Sequence, residues 1–177
     1  MDIVIDANIV AGYFKESVLG IAIGPKNDLT GSVIPLFEGL GTIDVCYLDD
    51  GKIIESEWRG PVSTEWFDVW FARLLADGKA QLIPASRCPS LEGRLFTTGF
   101  PKHRNRDAWY VRVCKAVLAK FPTSSVPLIT EDIDFYDPRL KGCAAKTRKL
   151  ILETSTGPIS KLLRSENILV RAVCNHQ

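Results

Sequence analysis

Carboxylates recur along this chain in settings that could gather them at one place. Asp6 directly follows the apolar run Ile3-Val4-Ile5, and Glu57 lies within Ile53-Ile54-Glu55-Ser56-Glu57-Trp58. Asp107 follows Arg106, and Asp132 and Asp134 follow Leu128-Ile129-Thr130-Glu131. An acid just past a buried strand, or in the first turn of a helix packed on that sheet, sits where oxygen ligands for a hard cation are built. Each position also has a plainer reading as a turn residue, a helix-start acid or a solvated loop charge. Gathered together, however, three or four carboxylates repel one another and must take up protons unless a cation joins them. Mg²⁺ or Mn²⁺ takes octahedral oxygen coordination and keeps waters, so a few carboxylates and a substrate phosphate complete its shell. The implied chemistry is phosphodiester hydrolysis by a metal-activated water, with a second ion about 4 Å away able to hold the leaving oxygen.

The elements that must position these acids follow from the hydrophobic pattern. Ile3 to Ile5 reads as a buried strand, and Ile9, Val10, Tyr13 and Phe14 continue with helical spacing, with Asn8 placed to cap that helix. A loop fills Gly20 to Gly31, and Val33 to Leu40 is a short helix ended by glycines. Ile43 to Leu48, Asp50-Gly51 and Lys52 to Ile54 read as a β-hairpin. A helix capped by Ser63 or Thr64 runs to about Ala76, and Gln81 to Ile83 is a brief strand. Residues 84–106 read as a long surface loop, and Asp107 opens the strongest helix, stopped at Pro122. Val126 to Ile129 is a buried strand delivering Thr130, Asp132 and Asp134 to its C-terminal edge. Helices over 143–153 and 159–164 and a strand over 168–173 complete the chain. Alternating strands and helices predict an α/β fold, a three-layer α/β/α sandwich with a mostly parallel central sheet and a β-hairpin near 43–54.

Val4-Ile5-Asp6-Ala7-Asn8 at the start, an aspartate opening a late helix at Asp107, and Pro127-Leu128-Ile129-Thr130-Glu131-Asp132-Ile133-Asp134-Phe135 resemble the first, third and fourth acidic motifs of PIN-domain ribonucleases. The order and spacing fit across nearly the whole chain. Ile53-Ile54-Glu55-Ser56-Glu57-Trp58 is similar to a segment of a PIN-like subgroup that places the second acid at Glu57, with Glu55 and Glu65 as the alternatives. The resemblance implies a PIN-like fold, dependence on Mg²⁺ or Mn²⁺, and single-stranded RNA as substrate. In that frame Asp6, Asp107 and Asp132 are metal ligands, while Glu57 and Asp134 bind a second ion or orient water. Asn8 and Thr130 then support the carboxylates. A catalytically inactive PIN-like module that binds RNA or protein, and a DNA nuclease on the same fold, are the rival readings.

Basic and aromatic residues add to this. Lys102, His103, Arg104 and Arg106 form a cationic stretch beside Asp107 suited to a phosphate backbone. Arg139, Lys141, Lys146, Arg148 and Lys149 read as a solvated face. Trp66, Phe67, Trp70 and Phe71 read as core, with a homo-oligomer contact second. With two histidines, one of them His176 at a disordered-looking end, a zinc site or histidine triad has little material. No glycine-rich nucleotide fingerprint occurs.

The 177 residues, 46% hydrophobic and 24% charged, suit a single domain over 1–177. A net charge of +1 means that a polyanion must be met by a local patch. Five scattered cysteines without a CxxC pair argue against a disulfide framework or zinc knuckle and for a cytoplasmic setting. No stretch matches a signal peptide or membrane helix. A protein inhibitor is compatible with the sequence, which carries no signal for one.

Overall fold

The computed structural model describes residues 1–22, 29–102, 106–121 and 123–176. Strands β1 (Asp2–Ile5), β2 (Val45–Asp49), β3 (Ala80–Ile83), β4 (Val126–Ile129) and β5 (Ile168–Arg171) form one sheet in the order β3-β2-β1-β4-β5. Every pairing is parallel. Ile3, Val4 and Ile5 are wholly inaccessible, as are Val126, Leu128 and Ile129. Such runs of apolar residues without polar alternation belong in central strands covered on both faces. The order reverses direction at β1, so the gap beyond the carboxyl ends of β1 and β4 is the switch point of the sheet.

Between the strands run α1 (Ala7–Tyr13), extended by a π-helical turn over Phe14–Val18, then α2 (Ile34–Gly39), α3 (Ile53–Arg59) and α4 (Thr64–Ala76). The second half supplies α5 (Pro89–Thr98), α6 (Asp107–Lys120), α7 (Ala145–Thr154) and α8 (Pro158–Arg164). Right-handed crossovers place helices leading toward β2 and β3 on one face and those leading toward β4 and β5 on the other. Packing agrees: α1 lies on α3, α5 lies on α8, and α6 reaches all five strands. The result is a three-layer α/β/α sandwich around one contiguous core. Tyr110, Val111, Val113, Cys114 and Val117 of α6 are fully buried, each apolar side chain contributing about 1.5–3 kcal/mol.

Most elements begin and end within a residue or two of expectation, and Ser63 does cap α4, accepting from the Trp66 amide. Two segments differ. The expected hairpin over 43–54 is instead β2 followed by α3, because buried Asp49 anchors a helix start. Its Oδ2 accepts from the Ile53 amide at 2.9 Å and its Oδ1 from the Ile54 amide at 2.8 Å. Lys52, with φ 62°, makes the left-handed step that launches the helix. The 84–106 stretch is not all loop, for α5 occupies Pro89–Thr98 with Leu91 and Leu95 buried one turn apart. Pro89 stands in its first turn and Gly99, at φ 109°, closes it, the usual asymmetry of helix ends. Its Glu92 meets Arg112 of α6 through two bonds at 2.7 and 3.0 Å.

Two smaller expectations also change. Asn8 is not a cap; it lies inside α1, where no side chain caps the first turn. His176 is tucked in, 2.9 Å from buried Asp44, whose other oxygen is 3.5 Å from the Met1 ammonium. The helix stop at Pro122, part of the Gly20 to Gly31 loop, and His103 and Arg104 lie outside the described residues. No helix among the described residues is long and apolar enough to cross a membrane. The five cysteines are free.

Candidate functional site

The sheet register builds the site. Ile5 stands opposite Ile129, so the next residues, Asp6 on one chain segment and Thr130 on the other, emerge side by side beyond the strands. The Asp6 amide still donates to the Ile129 carbonyl at 3.0 Å, fixing the height at which the side chain leaves. Thr130 is wholly buried and its hydroxyl serves both acids: Oγ1 donates to Asp6 Oδ2 at 2.5 Å and accepts from the Asp132 amide at 3.0 Å. Asn8 adds a second donor to the same Asp6 oxygen at 2.8 Å, and its own Oδ1 accepts from the Glu131 amide at 3.3 Å. The two residues expected to support the carboxylates therefore touch them directly.

Glu57 arrives by a different route. In α3, Ile54 and Trp58 are fully buried, four residues apart on the inward face. The Trp58 indole nitrogen donates to the Ile5 carbonyl at 3.0 Å, pinning the helix to the end of β1 and bringing its neighbour Glu57 to the edge where Asp6 stands. Tyr110, from the first turns of α6, ties these parts together. Its hydroxyl accepts from the Ala7 amide at 3.2 Å and hydrogen-bonds the Glu57 side chain. Glu55 instead pairs with Arg59 at 3.3 Å, and Glu65 sits exposed in the first turn of α4. Of the three glutamates, Glu57 is the one at this edge.

Electrostatics registers the gathering. The Asp6 carboxyl is pushed up to about 7, first by its burial, then by the negative charges of Asp132, Asp107 and Glu57, against the lowering effect of the Thr130 bond. Asp6, Glu57, Asp107 and Asp132 thus contribute to one local field. Asp134 is engaged elsewhere. Its amide donates to Asp132 Oδ1 at 2.9 Å, while its own Oδ2 pairs with Lys141 at 2.6 Å and its Oδ1 is buried with no hydrogen-bond partner among the described residues. Among the described residues, no three His, Cys, Asp or Glu side chains are drawn together closely enough to hold a metal ion as they stand. Mutual repulsion favours that open spacing.

The donor set has the chemistry, though not the present spacing, of a hard-cation site. All its members are oxygens, and Asp6 is a carboxyl whose neighbours penalise its ionised form, a penalty that a divalent charge reverses. The residues that could hold such an ion, were they to close in, are Asp6, Asp107 and Asp132, with Glu57 at the margin.

Beside Asp132 opens a cavity of about 380 Å³ whose lining includes Asn8, Leu140, Lys141 and Arg148. The second basic cluster is the expected solvated face at Arg139, Lys141, Lys146 and Lys149, all exposed, and departs from it at Arg148 alone. Arg148 is half-buried, its Nη2 donating to the Glu131 carbonyl at 2.8 Å. Lys102 and Arg106 flank Asp107 and are exposed. Tyr110 and Arg148 are the participants that sequence patterning passed over. Tyr110 carries no motif of its own in the sequence, and only its hydroxyl, in a helix headed by an acid, could have hinted at a role.

No protein-family model, curated protein or solved structure gives a significant match to this chain. Fold and site define its class: a doubly wound parallel α/β domain with several acidic residues spaced openly about the switch point.

Proposed function

We propose that this chain is a Mg²⁺- or Mn²⁺-dependent endoribonuclease of the PIN-like kind, acting on single-stranded RNA in the cytoplasm. The observation that carries the reading is Asp6, held at the β1–β4 switch point by Thr130 and Asn8 and pushed up to about 7 by burial and by Asp132, Asp107 and Glu57. Bound among these residues, the ion would supply an activated water and a counter-charge for the phosphate. Thr130 sets the spacing of Asp6 and Asp132 through one hydroxyl, and Tyr110 holds Glu57 against the first turn of α1. Such supporting bonds are worth roughly 10–100-fold in metal affinity or activity. Asp134, paired with Lys141, supports Asp132 through its amide.

The open spacing of the carboxylates favours one second reading, a PIN-like module that binds RNA or a protein without cutting. One assay separates these and the DNA nuclease. Labelled single-stranded RNA and DNA are incubated with the protein in Mn²⁺ or EDTA, beside Asp6→Asn and Asp132→Asn. The nuclease reading expects Mn²⁺-dependent RNA cutting that falls by at least about 100-fold in both variants, as loss of a charge-stabilising group does. Cutting of equal strength by the variants overturns it. RNA bound but intact indicates the non-cleaving module, and cutting confined to DNA indicates the DNA nuclease.

A further inference from the structure

The cavity beside Asp132 presents a chemistry opposite to that of the acids it adjoins. Its lining includes Asn8 and Asp132 from the acidic edge and Lys141 and Arg148 from the segment that follows. A polyanion approaching clustered carboxylates is repelled, and with a net charge of +1 the chain has no global field to draw it in. Cations must therefore meet the strand locally, and these two are built into the cleft.

Arg148 is more than a surface charge. It is the one basic residue of α7 that is not exposed, since Lys146 and Lys149 face solvent. Its Nη2 donates to the Glu131 carbonyl at 2.8 Å, in the peptide between Thr130 and Asp132, so the guanidinium is fixed relative to both. Its Nε is buried with no hydrogen-bond partner among the described residues, so the guanidinium keeps unspent donor capacity in a side chain that lines the cavity. The nearby Glu131 carboxylate does not take it up. Oε1 of Glu131 accepts from Thr30 and from the Val173 amide, while its Oε2 is buried without a hydrogen-bond partner among the described residues and the Arg148 charge acts on the carboxyl without bonding it. Lys141 reaches the same cavity from the turn closed by Gly142, at φ 92°, and its ammonium neutralises buried Asp134 while its side chain stays 60% exposed. A planar fork and a mobile ammonium together are the usual equipment for a phosphodiester oxygen pair.

We propose that Arg148 and Lys141 form a subsite for a backbone phosphate of single-stranded RNA, one linkage away from the phosphate presented to Asp6 and Asp132. It rests on the ribonuclease reading and gives that reading its substrate-holding residues. The contact is to phosphate, so it carries no base preference. Free inorganic phosphate shares the chemistry, but a single phosphate lacks the neighbouring linkage that the acidic edge receives.

Fluorescence anisotropy of a labelled single-stranded oligouridylate, in EDTA over a range of NaCl concentrations, tests it. Wild type is compared with Arg148→Ala, Arg148→Lys, Lys141→Ala and, as control, Lys149→Ala, with circular dichroism confirming each fold. Removing one cation from the phosphate backbone lowers the slope of log affinity against log salt by about 0.7 for a single strand. That drop is expected for Arg148→Ala and for Lys141→Ala, and none for Lys149→Ala. Arg148→Lys keeps the charge, so it retains the slope while binding more weakly at fixed salt, whereas a merely structural role for Arg148 would leave the slope of Arg148→Ala unmoved as well. Inorganic phosphate alone should compete only weakly. An unchanged slope and affinity in Arg148→Ala and Lys141→Ala, no binding by wild type, or displacement by inorganic phosphate as effective as by unlabelled oligouridylate overturns the subsite. Slopes that fall in the two alanine variants of a protein that fails to cut in Mn²⁺ leave the subsite standing and remove the nuclease. Cutting with unmoved slopes does the reverse.

Discussion

Glu92 and Asp6 are both buried carboxylates, 2% and 7% exposed, yet they are provided for in opposite ways. Glu92, in α5, receives two bonds from Arg112, itself buried and stacked over Trp109 at 4.6 Å, and a third from the Cys88 amide at 2.9 Å. Arg112 holds its carboxyl below the ordinary range. Asp6 has hydroxyl and amide donors but, among the described residues, no cation beside it, and the charges that bear on it are acids. Where the acid's task is to join two helices, the chain supplies the counter-charge from within. At the switch point it supplies further negative charge, and the buried acid must then either keep a proton or be joined by a cation from outside.

The contrast can be broken most forcefully at its matched end. Arg112→Met leaves Glu92 buried and uncompensated, and a loss of about 3–5 kcal/mol is expected in urea unfolding, with most of it regained in the Glu92→Gln/Arg112→Met double variant. A loss under about 1 kcal/mol would show that the pair is idle and the contrast empty. At the unmatched end the sign reverses. A carboxyl titrating near 7 when folded and at 3.8 when unfolded binds more protons in the folded state between those values. Ionising it therefore costs stability as pH climbs from 3.8 to about 7, with the full cost present above. Asp6→Asn in EDTA should accordingly stabilise the protein at pH 8 by on the order of 3 kcal/mol, with the two unfolding curves converging as pH falls toward 4. A variant less stable than wild type at pH 8 would refute the crowding of acids. The smallest effect belongs to Tyr110→Phe, which removes the bridge between the Ala7 amide and Glu57 and should cost about 1 kcal/mol in the same measurement. No change would mean that the hydroxyl does not tie α6 to the site.

How far these features could be read from sequence depended on whether they were local. Ile3-Val4-Ile5 and Val126 to Ile129 announce buried strands by composition, and a parallel sheet follows from their alternation with helices. Register then brings Asp6 beside Thr130 without further information. Asp50-Gly51 misled because a turn dipeptide carries no record of Asp49, whose two oxygens commit the next residues to a helix. The Ile54 and Trp58 spacing contained the correction. The α5 helix was hidden by Pro89 and Gly99, whose positions at its two ends mark boundaries rather than disorder, and by Gly93 within it. Arg148 was beyond reach, since what distinguishes it from Lys146 and Lys149 is a carbonyl seventeen positions away.

The bond from Thr130 to Asp6 spans 124 residues, and that separation has a bearing on when the protein can act at all. Asp6 leaves the ribosome first, but its partners on β4 follow only after roughly ten seconds of synthesis at ordinary translation rates. Parallel pairing of such distant strands is also the slowest part of folding to complete. A nascent chain thus carries isolated aspartates and no centre. If the finished protein degrades RNA, a chain still growing cannot do so until β4 has been made, because the order of translation delays the meeting of Asp6 and Thr130.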